Sequence, residues 1–169
     1  HPNDRTFQLD NADASFVGEN SGDSSGGSVS SAGDVDGDGL SDLLIGARRN
    51  DEEGTSAGKT YLFFGSTVGA GGTFDLSSAD AAFVGENVGD NSGISVSSAG
   101  DVDGDGKDDL LIGAPYNDEG GNNAGKTYLF FGSTVAAGGS FDLNLADASF
   151  VGENAGDYSG ASVSSAGDV

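Results

Sequence analysis

The sequence predicts an all-β fold of four short antiparallel strands per unit, in about two and a half units of 67 residues. The period is visible in Phe16-Val-Gly-Glu-Asn20, which recurs at Phe83 and again at Phe150. Lys59-Thr-Tyr-Leu-Phe-Phe-Gly-Ser-Thr67 recurs at Lys126 with the same spacing. A fixed period on this scale indicates a repeat architecture, in which each unit buries its faces against its neighbours.

The four strands of a unit follow from the complete middle copy, where short apolar runs alternate with glycine-rich connections and no amphipathic helix of normal length is found. The predicted segments, in chain order, are Ile94–Ala99, Leu110–Ala114, Lys126–Phe131, and an outer part formed by Phe141–Leu143 and Ala148–Gly152. The loop 117–125 is rich in glycine, asparagine and acidic residues, and it separates the second strand from the third. This spacing is typical of an all-β blade.

The period divides the chain into a single array of units 1–67 and 68–134 and a partial third unit, 135–169. Two nine-residue segments within it have aspartate at positions 1, 3, 5 and 9 and glycine at position 6. Their aspartates are Asp34, Asp36, Asp38 and Asp42 in the first loop and Asp101, Asp103, Asp105 and Asp109 in the second. Calcium takes six to eight oxygen ligands, and alternate aspartates in a tight loop can converge on one ion.

Position 7, Leu40 or Lys107, is predicted to contribute its backbone carbonyl. The EF-hand requires a bidentate glutamate at position 12, where Ile45 and Ile112 stand, so the loops are of a different type. Magnesium suits them less well because it prefers octahedral geometry and keeps its waters. We therefore expect two complete calcium sites and a third that is truncated after Asp168.

The net charge of −22, from 28 acidic and 6 basic residues, argues against nucleic acid and anionic membranes as partners. No apolar run approaches the length of a membrane helix and no signal peptide is recognisable, so we expect no membrane insertion. The chain has no cysteine that could act as a nucleophile. Its single histidine, His1, is terminal, so a serine nucleophile lacks its usual base. We expect a protein that is not an enzyme.

The order Ser-Val-Ser-Ser-Ala-Gly-Asp-Val-Asp-Gly-Asp-Gly-x-x-Asp-Leu-Leu-Ile-Gly-Ala, followed by Gly-Lys-Thr-Tyr-Leu-Phe-Phe-Gly, resembles the FG-GAP repeat of integrin α-subunit β-propellers. It is even more similar to the tandem FG-GAP repeats of large bacterial surface and secreted proteins. The resemblance implies four-stranded propeller blades around an axis, the same loop ligands, and a mostly structural metal. Ser25-Gly26, Ser92-Gly93 and Ser159-Gly160 depart from the family's Phe-Gly element.

The resemblance further implies a calcium-binding extracellular module for cell-surface adhesion or protein–protein interaction. The alternatives are a segment of a calcium-stabilised extracellular filament or surface assembly, and the propeller portion of a secreted hydrolase. The expected partners are further repeats or other copies of the polypeptide, and an extracellular protein or glycan. Two and a half units cannot close a seven-bladed ring, so we expect either a window of a longer array or self-assembly. The ends should be an outer strand near 14–18 and an inner strand near 160–166.

Overall fold

A computed structural model describes residues 9–167, which form eleven short strands and two one-turn helices. The strands are β1 Ala14–Val17, β2 Ser25–Gly33, β3 Asp42–Ala47, β4 Lys59–Phe63, β5 Gly72–Asp75, β6 Ala81–Val84, β7 Ser95–Gly100, β8 Asp109–Ala114, β9 Lys126–Phe130, β10 Gly139–Asp142 and β11 Ala148–Val151. The helices are α1 Gly65–Val68 and α2 Gly132–Val135. Neither helix in this part of the chain is long or apolar enough to cross a membrane. The predicted all-β fold is confirmed.

The strands form two blades, each with four antiparallel strands. The first blade has the order β2-β3-β4-β6 and the second has the order β7-β8-β9-β11. The middle strands β3 and β8 share the sequence Asp-Leu-Leu-Ile-Gly-Ala and are almost entirely buried, as their continuous apolar runs predict. The boundaries of the blades differ from those of the predicted units. Each blade takes its outer strand, β6 or β11, from residues beyond the end of the predicted unit that contains its other three strands.

One pairing differs from the prediction. The sequence predicts residues 141–143 in the outer part of their own blade, but β10 pairs in parallel with β6, the outer strand of the preceding blade. Its register places Gly139 opposite Ala81 and Phe141 opposite Phe83. The same parallel pairing joins β5 to β1. Each unit therefore sends one strand back to the outer edge of the blade before it.

The main core lies between the two blades. Leu44 and Leu62 of the first blade are fully buried against Leu110, Ile112 and Phe130 of the second. At its outer end Phe83 packs against Phe130, with ring centroids 4.9 Å apart, and stacks on Phe141 at 5.5 Å. The ring of Phe16 packs with Phe63 and Phe74 in the same way, 67 residues earlier. The repeat thus encodes a repeated interface as well as a repeated blade.

The expected outer strand near residues 14–18 is present as β1. The expected inner strand over 160–166 is wrong, because these residues form no strand. Inner strands β2 and β7 are held by hydrogen bonds to β3 and β8. The equivalent partner of 160–166 would lie 67 residues after β8, beyond the end of the 169-residue sequence. Without that partner the segment has no ladder to join.

Candidate metal centres

The two predicted metal loops occupy equivalent positions in the two blades, the first between β2 and β3 and the second between β7 and β8. In each loop three carboxylates converge, so that one oxygen of each lies within 4.8 Å of the others. The two groups are Asp34, Asp36 and Asp42, and Asp101, Asp103 and Asp109. Oxygens bound to one calcium ion at about 2.3–2.6 Å are at most about 5 Å apart. The carboxylate spacing and the all-oxygen donor set therefore fit one calcium ion in each loop.

Backbone amides hold the carboxylate of Asp34 in place. Its two oxygens accept hydrogen bonds from the N–H of Gly37 at 2.9 Å and of Gly39 at 3.0 Å, and the second loop repeats both bonds. Gly39 and Gly106, at position 6, have φ of 86° and 90°. A residue with a Cβ resists this backbone conformation. Glycine at position 6 thus makes the turn that lets the loop fold around its own carboxylates.

The aspartate at position 9 connects the loop to the blade. Asp42 is the first residue of β3 and is buried, and its oxygens accept hydrogen bonds from the N–H groups of Val35 and Gly65, both at 2.8 Å. Asp109 is bonded in the same way at the start of β8. Because Gly65 begins α1, this one carboxylate joins the loop, the strand and the helix.

Burial raises the pKa of Asp42 above its ordinary value, its two backbone hydrogen bonds oppose this shift, and the charge on Asp36 adds to it. Burial likewise raises the pKa of Asp109. The buried carboxylate of each group, Asp42 or Asp109, is therefore costly to keep ionised. A bound cation removes this cost.

The remaining predicted ligands lie in the same loops but outside the two groups of converging carboxylates. Asp38 accepts a hydrogen bond from the N–H of Leu40 at 2.8 Å, and Asp105 accepts one from Lys107 at 2.9 Å. Their predicted role as ligands, with the carbonyls of Leu40 and Lys107, stays a prediction. The third loop, expected from Asp168, lies outside the described residues.

A second polar cluster was not predicted from the sequence. The side chain of Lys59 is only 8% exposed, and its ammonium group pairs with Glu19 at 3.0 Å and with Glu52. The hydroxyl of Tyr61 donates to Glu19 at 2.6 Å. The bond from Tyr61, together with Lys59, holds the pKa of Glu19 below its ordinary value against the effect of burial. The same cluster recurs with Lys126, Glu86, Glu119 and Tyr128. Its signal in the sequence was the recurrence of a glutamate and a lysine 40 residues apart.

The composition of the acidic loops after β3 and β8 predicts solvated loops. The alternative is that they line a ligand surface or bind a further ion. The interpretation as solvated surface is wrong for Asn50 and Asn117, which are buried. Each donates an amide hydrogen bond at 2.7 Å to a buried aspartate, Asp23 or Asp90. The amides satisfy carboxylates that the fold has removed from water, so these asparagines stabilise the loop.

Gly22-Asp-Ser-Ser-Gly26 matches the Gly-x-Ser-x-Gly pattern of hydrolase nucleophiles, which the sequence reasoning overlooked. The hydrolase elbow lies between a strand and a helix, whereas Ser24 is followed directly by β2. Residues 9–167 contain no histidine to serve as its base. The motif therefore lacks both the structural context and the partner of a catalytic serine.

A comparison with known families agrees with the blades and the loops. The family profile described as FG-GAP repeat matches residues 25–63 and 92–130, each of which runs from the inner strand through the metal loop to the third strand. The chain thus contains two FG-GAP repeats. FG-GAP repeats are β-propeller blades, and the two described here have the strand order expected of such blades.

This FG-GAP chain is also similar to integrin α subunits. It is 34% identical to integrin alpha-PS2 of Drosophila melanogaster over 113 residues, which is 60% of this chain and 7% of the relative. It is 32% identical to integrin alpha-4 of Xenopus laevis over 128 residues, 73% of this chain and 11% of the relative. Human integrin alpha-IIb is 31% identical over 106 residues, 60% of this chain and 10% of the relative. The chain thus spans about a tenth or less of the length of these relatives.

Proposed function

We propose that this FG-GAP chain is a calcium-binding, non-enzymatic module of an extracellular or cell-surface protein, serving adhesion or protein–protein interaction. The observation that carries the proposal is the convergence of three carboxylates in each of two family-matched loops. The similarity to integrin α subunits supports the extracellular location and the interaction role.

When bound, calcium supplies positive charge that offsets the loop carboxylates. The residues of the chain do the rest. Asp34 and Asp42 bring together the two ends of the loop, and Asp42 transmits that position to β3 and to α1 through its bond with Gly65. A bound ion would thus hold closed the loop between β2 and β3. Its role in this proposal is structural.

The opposite end of the blades is the better candidate for contact with a ligand. The connections 48–57 and 115–124 follow the second strand of each blade, and an antiparallel strand order places them at the end away from the metal loops. They differ in sequence while the strands agree, and Arg48 stands where the second copy has Pro115. Variable loops on a constant scaffold are typical of recognition surfaces.

An aromatic pair on this face supports the proposal. Tyr116 and Tyr158 are about 40% exposed and meet edge to face, with ring centroids 5.7 Å apart. Tyr158 has φ of 52°, a conformation uncommon for a bulky residue; Ser24 and Asn91 occupy the equivalent positions in the other units. Amphipathic aromatic rings are favoured at interfaces with proteins. Binding of the purified chain to immobilised extracellular proteins and glycans, with and without calcium, tests the adhesive part of the proposal.

The metal-binding part predicts two calcium ions per chain. Asp36→Ala or Asp103→Ala removes one carboxylate from one group only, so each variant should bind one ion fewer. Native mass spectrometry and isothermal titration calorimetry measure the stoichiometry. Asp10→Ala, at an exposed aspartate outside the loops, is the control and should bind two. No bound calcium at millimolar concentrations would contradict the proposal.

The assembly alternative is supported by exposed valines on the outer faces of the two described blades. Val35 is fully buried where the blades meet, whereas Val102, its equivalent on the far face of the second blade, is 58% exposed. Conversely, Val96 is buried at the junction and Val29, its equivalent on the near face of the first blade, is 61% exposed. The two ends therefore carry the two halves of the interface that the blades already form. Leu9 and Val17 are exposed as well, while Phe16 and Val163 are partly covered.

We expect the 169-residue chain to associate head to tail in calcium, because another copy can bury both apolar ends. Such a heterologous contact yields a ring or an open fibre, depending on the rotation per copy. Sedimentation velocity across a wide range of protein concentration measures the association. Val102→Asp should weaken it, with Val88→Asp, an exposed valine in the connection between β6 and β7, as the matched control. A strictly monomeric wild-type protein would contradict the expectation.

A further inference from the structure

The two metal loops contact each other across the junction between the blades. Asp108, at position 8 of the second loop, turns away from its own loop and toward Asp34, the first ligand of the first loop. Its Oδ2 accepts a hydrogen bond from the N–H of Asp34 at 2.7 Å, and its own N–H donates to the carbonyl of Asp34 at 3.0 Å. The ammonium group of Lys107 donates to the carbonyl of Asp36 at 2.9 Å. Two residues of one loop thus hold the backbone of two ligands of the other.

A glycine in the first loop leaves room for this contact. Gly33 directly precedes Asp34, and a Cβ built on it would overlap the carboxylate of Asp108. Its φ of 77° is also in the region that favours glycine. A larger residue here would force Asp108 away from Asp34. Glycine at this position therefore makes the close approach of the two loops possible.

The segment from Lys107 to Asp109 lies in the second loop but contributes side chains to both loops. The carboxylate of Asp109 is one of the three that converge in the second loop. Asp108, one residue earlier, contacts the first loop, so two adjacent side chains of this segment serve different loops. A shift of Asp109 toward a metal ion therefore moves the group that fixes Asp34.

The contact is specific to position and sequence. In the first loop the equivalents of Lys107 and Asp108 are Leu40 and Ser41, which cannot provide an ammonium or a carboxylate. Asp101 is exposed, whereas Asp34, its equivalent in the first loop, is partly covered by the contact. Among residues 9–167, the two side chains that bridge the loops, those of Lys107 and Asp108, therefore both come from the second loop.

We propose that Asp108, assisted by Lys107, is a positioning residue that couples the two calcium loops, so that calcium in one loop raises the affinity of the other. This rests on the proposed calcium binding. Holding the Asp34 backbone preorganises the first loop, and coupling of this kind is reciprocal, so each loop benefits equally from occupation of the other.

The test compares each loop with its partner loop active and disabled. Asp36→Ala disables the first loop and Asp103→Ala disables the second; neither removes a side chain of the contact. We expect the dissociation constant of the remaining site to rise by about tenfold relative to that site in the wild-type chain, by similar factors in both directions. Calorimetric titration with calcium gives both constants. Adding Asp108→Ala should reduce the factor to one.

Asp108→Asn is the matched control, because its amide oxygen can still accept the bond from Asp34 while the negative charge is lost. Coupling that persists with asparagine and disappears with alanine supports the proposal. If a disabled variant does not fold, the intact chain is titrated instead, and its Hill coefficient should exceed one and fall to one or below in Asp108→Ala. Absence of calcium binding would overturn the proposed function. Binding at both sites with no dependence on the partner loop or on Asp108 would overturn the coupling alone.

Discussion

Chelating calcium is expected to lower the thermal midpoint of this protein by about 10–20 °C. Free calcium at about 100 times the dissociation constant stabilises the folded state by about 2.7 kcal/mol per site, or about 5 kcal/mol for two sites. For a chain of this size 1 kcal/mol shifts the midpoint by about 2–4 °C. The physical reason is the convergence of Asp34, Asp36 and Asp42, and of their equivalents, whose repulsion a cation offsets.

The measurement is a circular dichroism melt in calcium and in chelator, at constant ionic strength. The double variant Asp36→Ala with Asp103→Ala should melt at the same temperature in both solutions, because neither site can respond. Magnesium in place of calcium should restore little of the loss, since it prefers octahedral geometry and keeps its waters. A wild-type melting curve unchanged by chelator would contradict the structural role of the metal.

Phe83→Ala is expected to destabilise the protein by about 3–5 kcal/mol, the range measured for large buried aromatics. Phe83 is fully buried between β4 and β10, and its ring packs against Phe130 and Phe141. Its truncation leaves a cavity where the two blades and the returning strand meet. Urea denaturation in calcium gives the free energy of unfolding.

The repeat supplies a matched control at the same position. Phe150→Ala removes the identical side chain from β11, where it is 56% exposed. Surface substitutions usually change stability by less than about 0.5 kcal/mol, so the loss should be far smaller. Both variants must be compared at low protein concentration, because association would cover Phe150. Equal losses under those conditions would mean that burial at the junction does not stabilise the fold.

Local patterns in the sequence were enough to predict the blades. Strands β3, β4, β8 and β9 are continuous apolar or aromatic runs, and their positions within a unit follow from composition and spacing alone. The metal loops are also local, because their aspartates and glycines lie within nine residues. The convergence of Asp34, Asp36 and Asp42 therefore follows from their spacing along the chain, without knowledge of any distant contact.

Pairing between units does not follow from local patterns. A period shows that two segments are alike, but it does not show which segments are neighbours. The parallel pairing of β10 with β6 could not be inferred from the Phe141–Leu143 run, and the inner strand over 160–166 failed because a strand depends on its partner. The strand-forming tendency of an isolated segment is weak compared with the effect of its neighbours.

The same limit applies to the polar contacts. In the sequence Asp108 is one more acid in an acidic loop, and only the packing of the blades shows that it faces Asp34. Lys59 and Glu19 are 40 residues apart and meet because β1 lies against the first blade. The residues around Asn50 have the composition of a solvated loop, and only the fold shows that Asp23 lies beside Asn50.

The return of β10 to β6 has a consequence for how such a chain is made. The outer edge of the first blade is covered only when residues 139–142 have been synthesised, long after β6 itself. At about 5–20 residues per second, the intervening stretch takes several seconds to emerge. During that interval β6 is an open edge that can pair with another nascent chain. Once the returning strand of the next unit has paired with that edge, the edge is covered. A growing array of any length therefore exposes one such edge at a time, that of its newest complete blade, so its tendency to aggregate during synthesis need not increase with the number of repeats.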